Sequence, residues 1–262
     1  MRRALAAAAL ALALPAAAGA EPPPGGIVVP RTPPNTPLLQ LGYQLYAGNC
    51  SSCHGTGGVG VVPPSKPNGA GDIRAAGPPL YGVGARAADF YLRTGYMPLA
   101  APDSQPRRSR VLFSPRQLDA LIAYVASLGK GPPVPRPHPG RGSVAQGLTL
   151  FTEHCAGCHQ VATRGGYLTG AVAPALDEAT PTQIAEAFRI GPYLMPRFPR
   201  RAISNAQLDS IVAYVEYAKH PDNPGGWSLG RLGPIPEGLV AWLLAGTVLV
   251  GCCLVIGKRA HR

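Results

Sequence analysis

Two five-residue runs, Cys50-Ser51-Ser52-Cys53-His54 and Cys155-Ala156-Gly157-Cys158-His159, constrain this chain more than any other feature. Each is a C-x-x-C-H run, the pattern by which a polypeptide holds c-type haem. Two intervening residues let both sulfurs meet one macrocycle edge, and the His that follows falls beneath the iron. Cys50, Cys53, Cys155 and Cys158 are therefore the expected covalent attachment residues of two haem c groups. His54 and His159 are the expected iron ligands on one face. The competing pattern is a zinc cross-brace of the four thiolates. It leaves both histidines and the duplicated surroundings without a role. A thioredoxin-type redox pair is disfavoured because no βαβ pattern surrounds either run.

The surroundings repeat. Gly42-Tyr43-Gln44-Leu45-Tyr46 precedes the first run and Gly147-Leu148-Thr149-Leu150-Phe151 precedes the second at the same offset. Each predicts a short helix leading into the attachment site. Further on, the segment from Ser114 to Val125 parallels that from Ser204 to Val215. Leu118, Leu121, Ile122 and Val125 fall on one helical face, and Leu208, Ile211, Val212 and Val215 repeat that face. Ser114 and Ser204 are the expected N-caps. The pattern predicts an all-α chain with two tandem haem domains, 41–128 and 144–218, and no strand pattern in either.

Apart from Met1, the chain has two methionines, Met97 in Gly95-Tyr96-Met97-Pro98 and Met195 in Tyr193-Leu194-Met195-Pro196. Each lies after one haem motif, before the last helix of its repeat, and each precedes Pro, which stiffens the backbone. Met97 and Met195 are the expected second iron ligands. A soft neutral thioether favours reduced iron and closes the sixth position. Pro78 and Pro174 carry the carbonyls expected to accept from the ring N–H of the two histidines. His154 reads as a surface residue or a neighbour of the ligands. Arg93, Tyr96, Tyr193 and Arg197 flank the methionines and are candidate propionate contacts.

The flanks place the chain. Arg2 and Arg3, the apolar stretch Ala4 to Leu14 and Ala18-Gly19-Ala20 form a signal peptide over 1–20. Residues 21–40 are Pro-rich, and the pattern predicts little order there without a partner. Residues 129–143 form a Pro/Gly linker, expected to be an extended spacer. A juxtamembrane segment follows over 219–238. Residues 239–257 are apolar and long enough to span a membrane. Lys258, Arg259 and Arg262 in the tail, 258–262, place it in the cytoplasm, with the haem domains outside. The net charge is +11. Residues 40–133 hold nine Lys/Arg against four Asp/Glu and 140–222 seven against seven, so no basic stripe marks a nucleic-acid partner.

The order helix, C-x-x-C-H, Pro loop, Met-Pro and closing amphipathic helix resembles class I cytochrome c in both halves. A narrower likeness lies in Asn223-Pro224-Gly225-Gly226-Trp227 through Pro234, in Glu237 to Trp242 and in Thr94 to Ala100. These resemble the dihaem cytochrome c subunit of the actinobacterial-type cytochrome bc1 complex. The resemblance implies a subunit of quinol–cytochrome c reductase, a translocase, in which this chain itself performs electron transfer only. It implies cytochrome b and Rieske iron–sulfur subunits as partners, and an aa3-type oxidase whose copper centre receives the electrons. A dihaem subunit of a cbb3-type oxidase and a dihaem peroxidase are the rival expectations. The peroxidase needs one iron with an open sixth site, whereas both halves offer a Met.

Overall fold

The computed structural model describes residues 26–62, 76–99, 101, 103–221 and 234–260. The expected signal peptide, and the segment over 222–233 that carries most of the Pro-Gly-Gly likeness, lie outside these. Two compact units form, one reaching to Glu216 and one from Tyr217 to Arg262. Both haem-motif repeats belong to the first unit.

In the first repeat, α1 (Leu38–Asn49) runs into the short α2 (Ser51–His54), and α3 (Gly84–Arg93) and α4 (Pro115–Ser127) follow. Helix α1 packs across α4, burying Leu41, Leu45, Tyr46, Ala120, Leu121 and Tyr124. Helix α3 packs on the neighbouring stripe of α4, which buries Ala88, Leu118, Ile122 and Val125. The crossing of α1 and α4 depends on Gly42. A Cβ there would lie 2.0 Å from the Ala120 carbonyl oxygen, so any side chain forces the helices apart. Ser114 caps α4 in a capping box with Gln117, as the sequence predicted.

The second repeat copies this plan with α5 (Val144–His154), α6 (Ala156–His159), α7 (Pro181–Ile190) and α8 (Asn205–Lys219). A Cβ on Gly147 would meet the Ser210 carbonyl oxygen at 1.9 Å, the counterpart of the Gly42 contact. Phe151 and Tyr214 pack with ring centroids 5.3 Å apart, where Tyr46 and Tyr124 stand at 5.0 Å. The predicted N-cap at Ser204 is present, reciprocated by Gln207.

The chain is mostly helical rather than wholly so. Strands β1 (Gly166–Leu168) and β2 (Ala171–Ala173) form an antiparallel hairpin around a two-residue turn, with Gly170 at φ 81°. Three-residue strands are too short to show alternation in a sequence, and the turn geometry, not a hydrophobic pattern, builds them. The first repeat has one isolated bridge at the equivalent place, Val61 to Gly77. In both repeats the residue seven places after the haem-motif His pairs with the residue before the proline of the next loop.

Two connecting segments are better held than their composition predicts. The linker closes in a single 3-10 turn at Pro139–Arg141 and is anchored to helices of both repeats. Arg86 N–H donates to the Pro132 carbonyl, and His138 N–H to Asp209. In the Pro-rich N-terminal segment, the Asn49 side chain brackets the Val28 backbone with bonds of 2.7 and 2.9 Å. The first repeat itself supplies the partner expected from elsewhere.

In the second unit, α9 (Pro234–Ala260) carries a 22-residue apolar stretch, Gly238–Arg259, of mean hydropathy 2.6. It is long enough to cross a membrane at about 1.5 Å per residue.

Candidate haem sites

The haem motifs sit where two helices nearly join. In each repeat the first Cys ends one helix and caps the next, so the other four motif residues lie on one short turn. The backbone then folds back in the same way twice. Gly60 N–H donates to the His54 carbonyl, and Gly165 N–H to the His159 carbonyl. Leu80 N–H donates to Gly58 and Leu176 N–H to Thr163, which ties the proline loop beside the motif.

That loop orients the imidazole. His54 Nδ1 lies 2.9 Å from the Pro78 carbonyl oxygen, and His159 Nδ1 lies 3.0 Å from that of Pro174. A carbonyl only accepts, so Nδ1 carries the proton and donates. The lone pair is thereby left on Nε2, the nitrogen available to a metal. Both carbonyls are the ones expected from sequence. Burial lowers the pKa of His159, against the opposing effect of the Pro174 bond, and so favours the neutral ring. Burial, helped by the neighbouring Cys53 and Cys158, pushes the Cys50 and Cys155 thiols up to about 12.

In the second repeat Cys155, Cys158, His159 and Met195 all line one cavity that opens to solvent. Its walls are largely apolar, with Leu168, Phe188, Ile211 and Val215 among them. Two thiols, one imidazole and one thioether around an apolar slot match the donor set a covalently held haem needs. His154 lines the same cavity, with its ring centroid 6.1 Å from that of Phe198. In the first repeat Cys50, Cys53 and His54 share one turn, and Met97 lies on the segment after α3, where its N–H donates to Tyr91. Part of the first repeat's surroundings, 63–75, 100 and 102, falls outside the described residues. Among the described residues no three His, Cys, Asp or Glu side chains converge as a metal cluster. The four motif cysteines thus form two separate pairs rather than one cross-brace.

Three of the four candidate propionate contacts have defined surroundings. Arg93 bonds to Asp89 at 2.8 Å and to Asp119, a network on the helices rather than in the described cavity. Tyr193 donates to the Gly170 carbonyl at 3.3 Å. Tyr96, the neighbour of Met97, lines the cavity of the other repeat. So do Phe90, Gln105 and Arg108, all from the first repeat. No motif announced these residues, because a wall borrowed from another part of the chain leaves no local spacing to detect.

Comparison with known proteins agrees with this geometry. The family model for cytochrome c matches residues 39–129, and that for subunit III of cbb3-type cytochrome c oxidase matches residues 142–215. The cytochrome bc1 complex cytochrome c subunit of Corynebacterium diphtheriae is 36% identical over 241 residues, covering 85% of this chain and 82% of the relative. That of Mycobacterium tuberculosis is 38% identical over 232 residues, covering 85% and 79%. A cbb3-type cytochrome c oxidase subunit FixP of Sinorhizobium medicae is 28% identical over 138 residues, covering 51% and 43%. A likeness of that depth, carried over most of both chains and built on two motif turns of one geometry, places this chain in the family of cytochrome bc1 complex cytochrome c subunits.

Proposed function

We propose that this chain is the membrane-anchored dihaem cytochrome c subunit of a quinol–cytochrome c reductase. In this reading it passes electrons from a Rieske iron–sulfur protein to the copper centre of an aa3-type oxidase. Cys50 and Cys53 hold one haem c, with His54 and Met97 as its iron ligands. Cys155 and Cys158 hold the other, with His159 and Met195. The domains are 41–128 and 144–218, carried outside the cell membrane by a single span over 239–257. When bound, haem c supplies a one-electron iron couple.

The chain's own residues set the conditions for that couple. The Pro78 and Pro174 carbonyls fix each imidazole and raise its basicity. The thioethers of Met97 and Met195 present a neutral soft donor that stabilises the reduced metal. The apolar walls of the second cavity exclude water, which limits reorganisation when charge changes.

The observation that carries the reading is the meeting of Cys155, Cys158, His159 and Met195 in one apolar cavity. Purification in mild detergent tests it. Recovery with cytochrome b, a Rieske protein and an aa3-type oxidase is the expected result. Recovery with a cbb3-type oxidase and no Rieske protein would favour the second reading, which the family match over 142–215 supports.

A further inference from the structure

One side chain reaches from the first repeat into the hydrogen-bonding scheme of the second. Gln105 lies on the segment between Met97 and Ser114, yet its amide pairs with the backbone of Val172, the middle residue of β2. Gln105 Nε2 donates to the Val172 carbonyl at 2.6 Å, and Val172 N–H donates to Gln105 Oε1 at 2.9 Å. Both capacities of the amide head and both backbone groups of Val172 are thereby used. The pairing occupies the edge of β2 as a third strand would.

Two residues further on, Pro174 presents the carbonyl that receives the His159 ring proton. A three-residue strand in a two-stranded hairpin has little stability of its own. Its position therefore depends on what braces its open edge. Nearby contacts hold the same surface together. Arg108 donates to Gln183 at 3.0 Å, and Gln183 donates to the Arg93 carbonyl at 3.5 Å. The first repeat secures its own proline loop differently. Gly77 packs so closely that a Cβ would stand 2.6 Å from the Cys53 carbonyl oxygen and 3.1 Å from His54 Nδ1.

We propose that Gln105 is a positioning residue for His159, acting from the first repeat through Val172 and Pro174 on the orientation of the imidazole. The proposal rests on the assignment of His159 as an iron ligand. Gln105 and Met97 both belong to the segment between α3 and α4.

The test is hydrogen exchange of the two histidine ring protons, followed by NMR on the reduced full chain in detergent. Each neutral hydrogen bond corresponds to roughly a two- to twelvefold factor in an opening equilibrium. In Gln105→Ala, the His159 ring proton is expected to exchange about tenfold faster, while that of His54 keeps its rate. Gln105→Glu preserves size and the acceptor but loses the donor, and is expected to act selectively on His159 as well. Arg107→Ala, an exposed change two residues away, is expected to move neither. Unchanged His159 exchange in both Gln105 variants, or an equal rise at both rings, would overturn the proposal. A wild-type chain with no haem on Cys155 and Cys158 would instead overturn the ligand assignment, and the proposal with it.

Discussion

The two haem-motif turns follow one backbone path with different residues. At one, four and six places after the His, the first repeat has Gly55, Gly58 and Gly60, with φ of 73°, 80° and 86°. The second has Gln160, Thr163 and Gly165 at the same places, with φ of 57°, 59° and 76°. Hydrogen bonds from Gly60 and Gly165 to the His carbonyls, and from Leu80 and Leu176 to the fourth residue, hold the path in each case. Glycine adopts these angles freely, whereas Gln and Thr adopt them only under constraint from their surroundings. The first repeat thus relies on permissive residues. In the second, full burial of Thr163 supplies part of that constraint. A similar exchange moves a phenol. Tyr46 donates to the Gly55 carbonyl in the first repeat, while in the second its counterpart is Phe151 and Tyr214 donates to Val161 instead.

The largest expected effect separates the two sites outright. Changing Cys155 and Cys158 together to Ser is expected to halve the haem absorbance per chain and leave the site at Cys50 and Cys53 loaded. Met97→Ala or Met195→Ala should each leave its haem attached. The potential of that haem should fall by a sizeable part of the roughly 0.8 V range that axial ligands command. Its iron should then bind small ligands. Redox titration and carbon monoxide difference spectra check both, and unchanged spectra in both variants would show that the ligands are misassigned.

A smaller change probes how each proline loop is held. Gly77→Val places carbon against the Cys53 carbonyl and the His54 ring. Overpacking of this kind costs about 1–3 kcal/mol, and the melting temperature of the full chain should fall accordingly. Ala173 stands at the matching position and already carries a Cβ, so Ala173→Gly should shift the melt far less.

Where α3 meets α7, Glu186 is fully buried and neither of its oxygens meets a hydrogen-bond donor. Burial pushes its pKa up to about 9, with Asp89 adding to the rise while Arg93 and Arg86 oppose it. A proton on Glu186 supplies the missing donor toward Asp89. Because the folded pKa lies above the unfolded value, the associated stability is complete below the ordinary carboxylate range and is lost as pH rises toward about 9. Glu186→Gln should remove that pH slope and raise stability at pH 8 by on the order of 1–2 kcal/mol. Melts across pH 5 to about 9 check the sign.

The smallest effect concerns the constrained turn. Gln160→Gly relieves a conformation that costs a side-chain-bearing residue about 1–3 kcal/mol, less the roughly 0.5–1 kcal/mol that glycine loses in entropy. A net gain of about 1 kcal/mol is expected. The reverse change, Gly55→Gln, should destabilise, since a Cβ there lies 2.7 Å from the Gly60 carbonyl oxygen.

Much of this arrangement was legible in the chain. Fixed spacing announced the two motif turns, helical periodicity announced α4 and α8, and the segments that open with Gly42 and Gly147 announced the helices leading into those turns. The proline carbonyls followed from the need of a metal-bound imidazole for a fixed partner. What stayed hidden had no local pattern. The positive φ of Gln160 and Thr163 is invisible because their residue types argue against it. The hairpin is too short to alternate. The wall that Phe90, Tyr96, Gln105 and Arg108 give to the second cavity is a product of tertiary packing, and the anchoring of Val28 by Asn49 is another.

The central claim is that each C-x-x-C-H run carries its own haem. Alkaline pyridine haemochrome spectra of the purified full chain, set against protein concentration, test it most directly. The account predicts two c-type haems per polypeptide. A value of one, or a colourless protein, would contradict it.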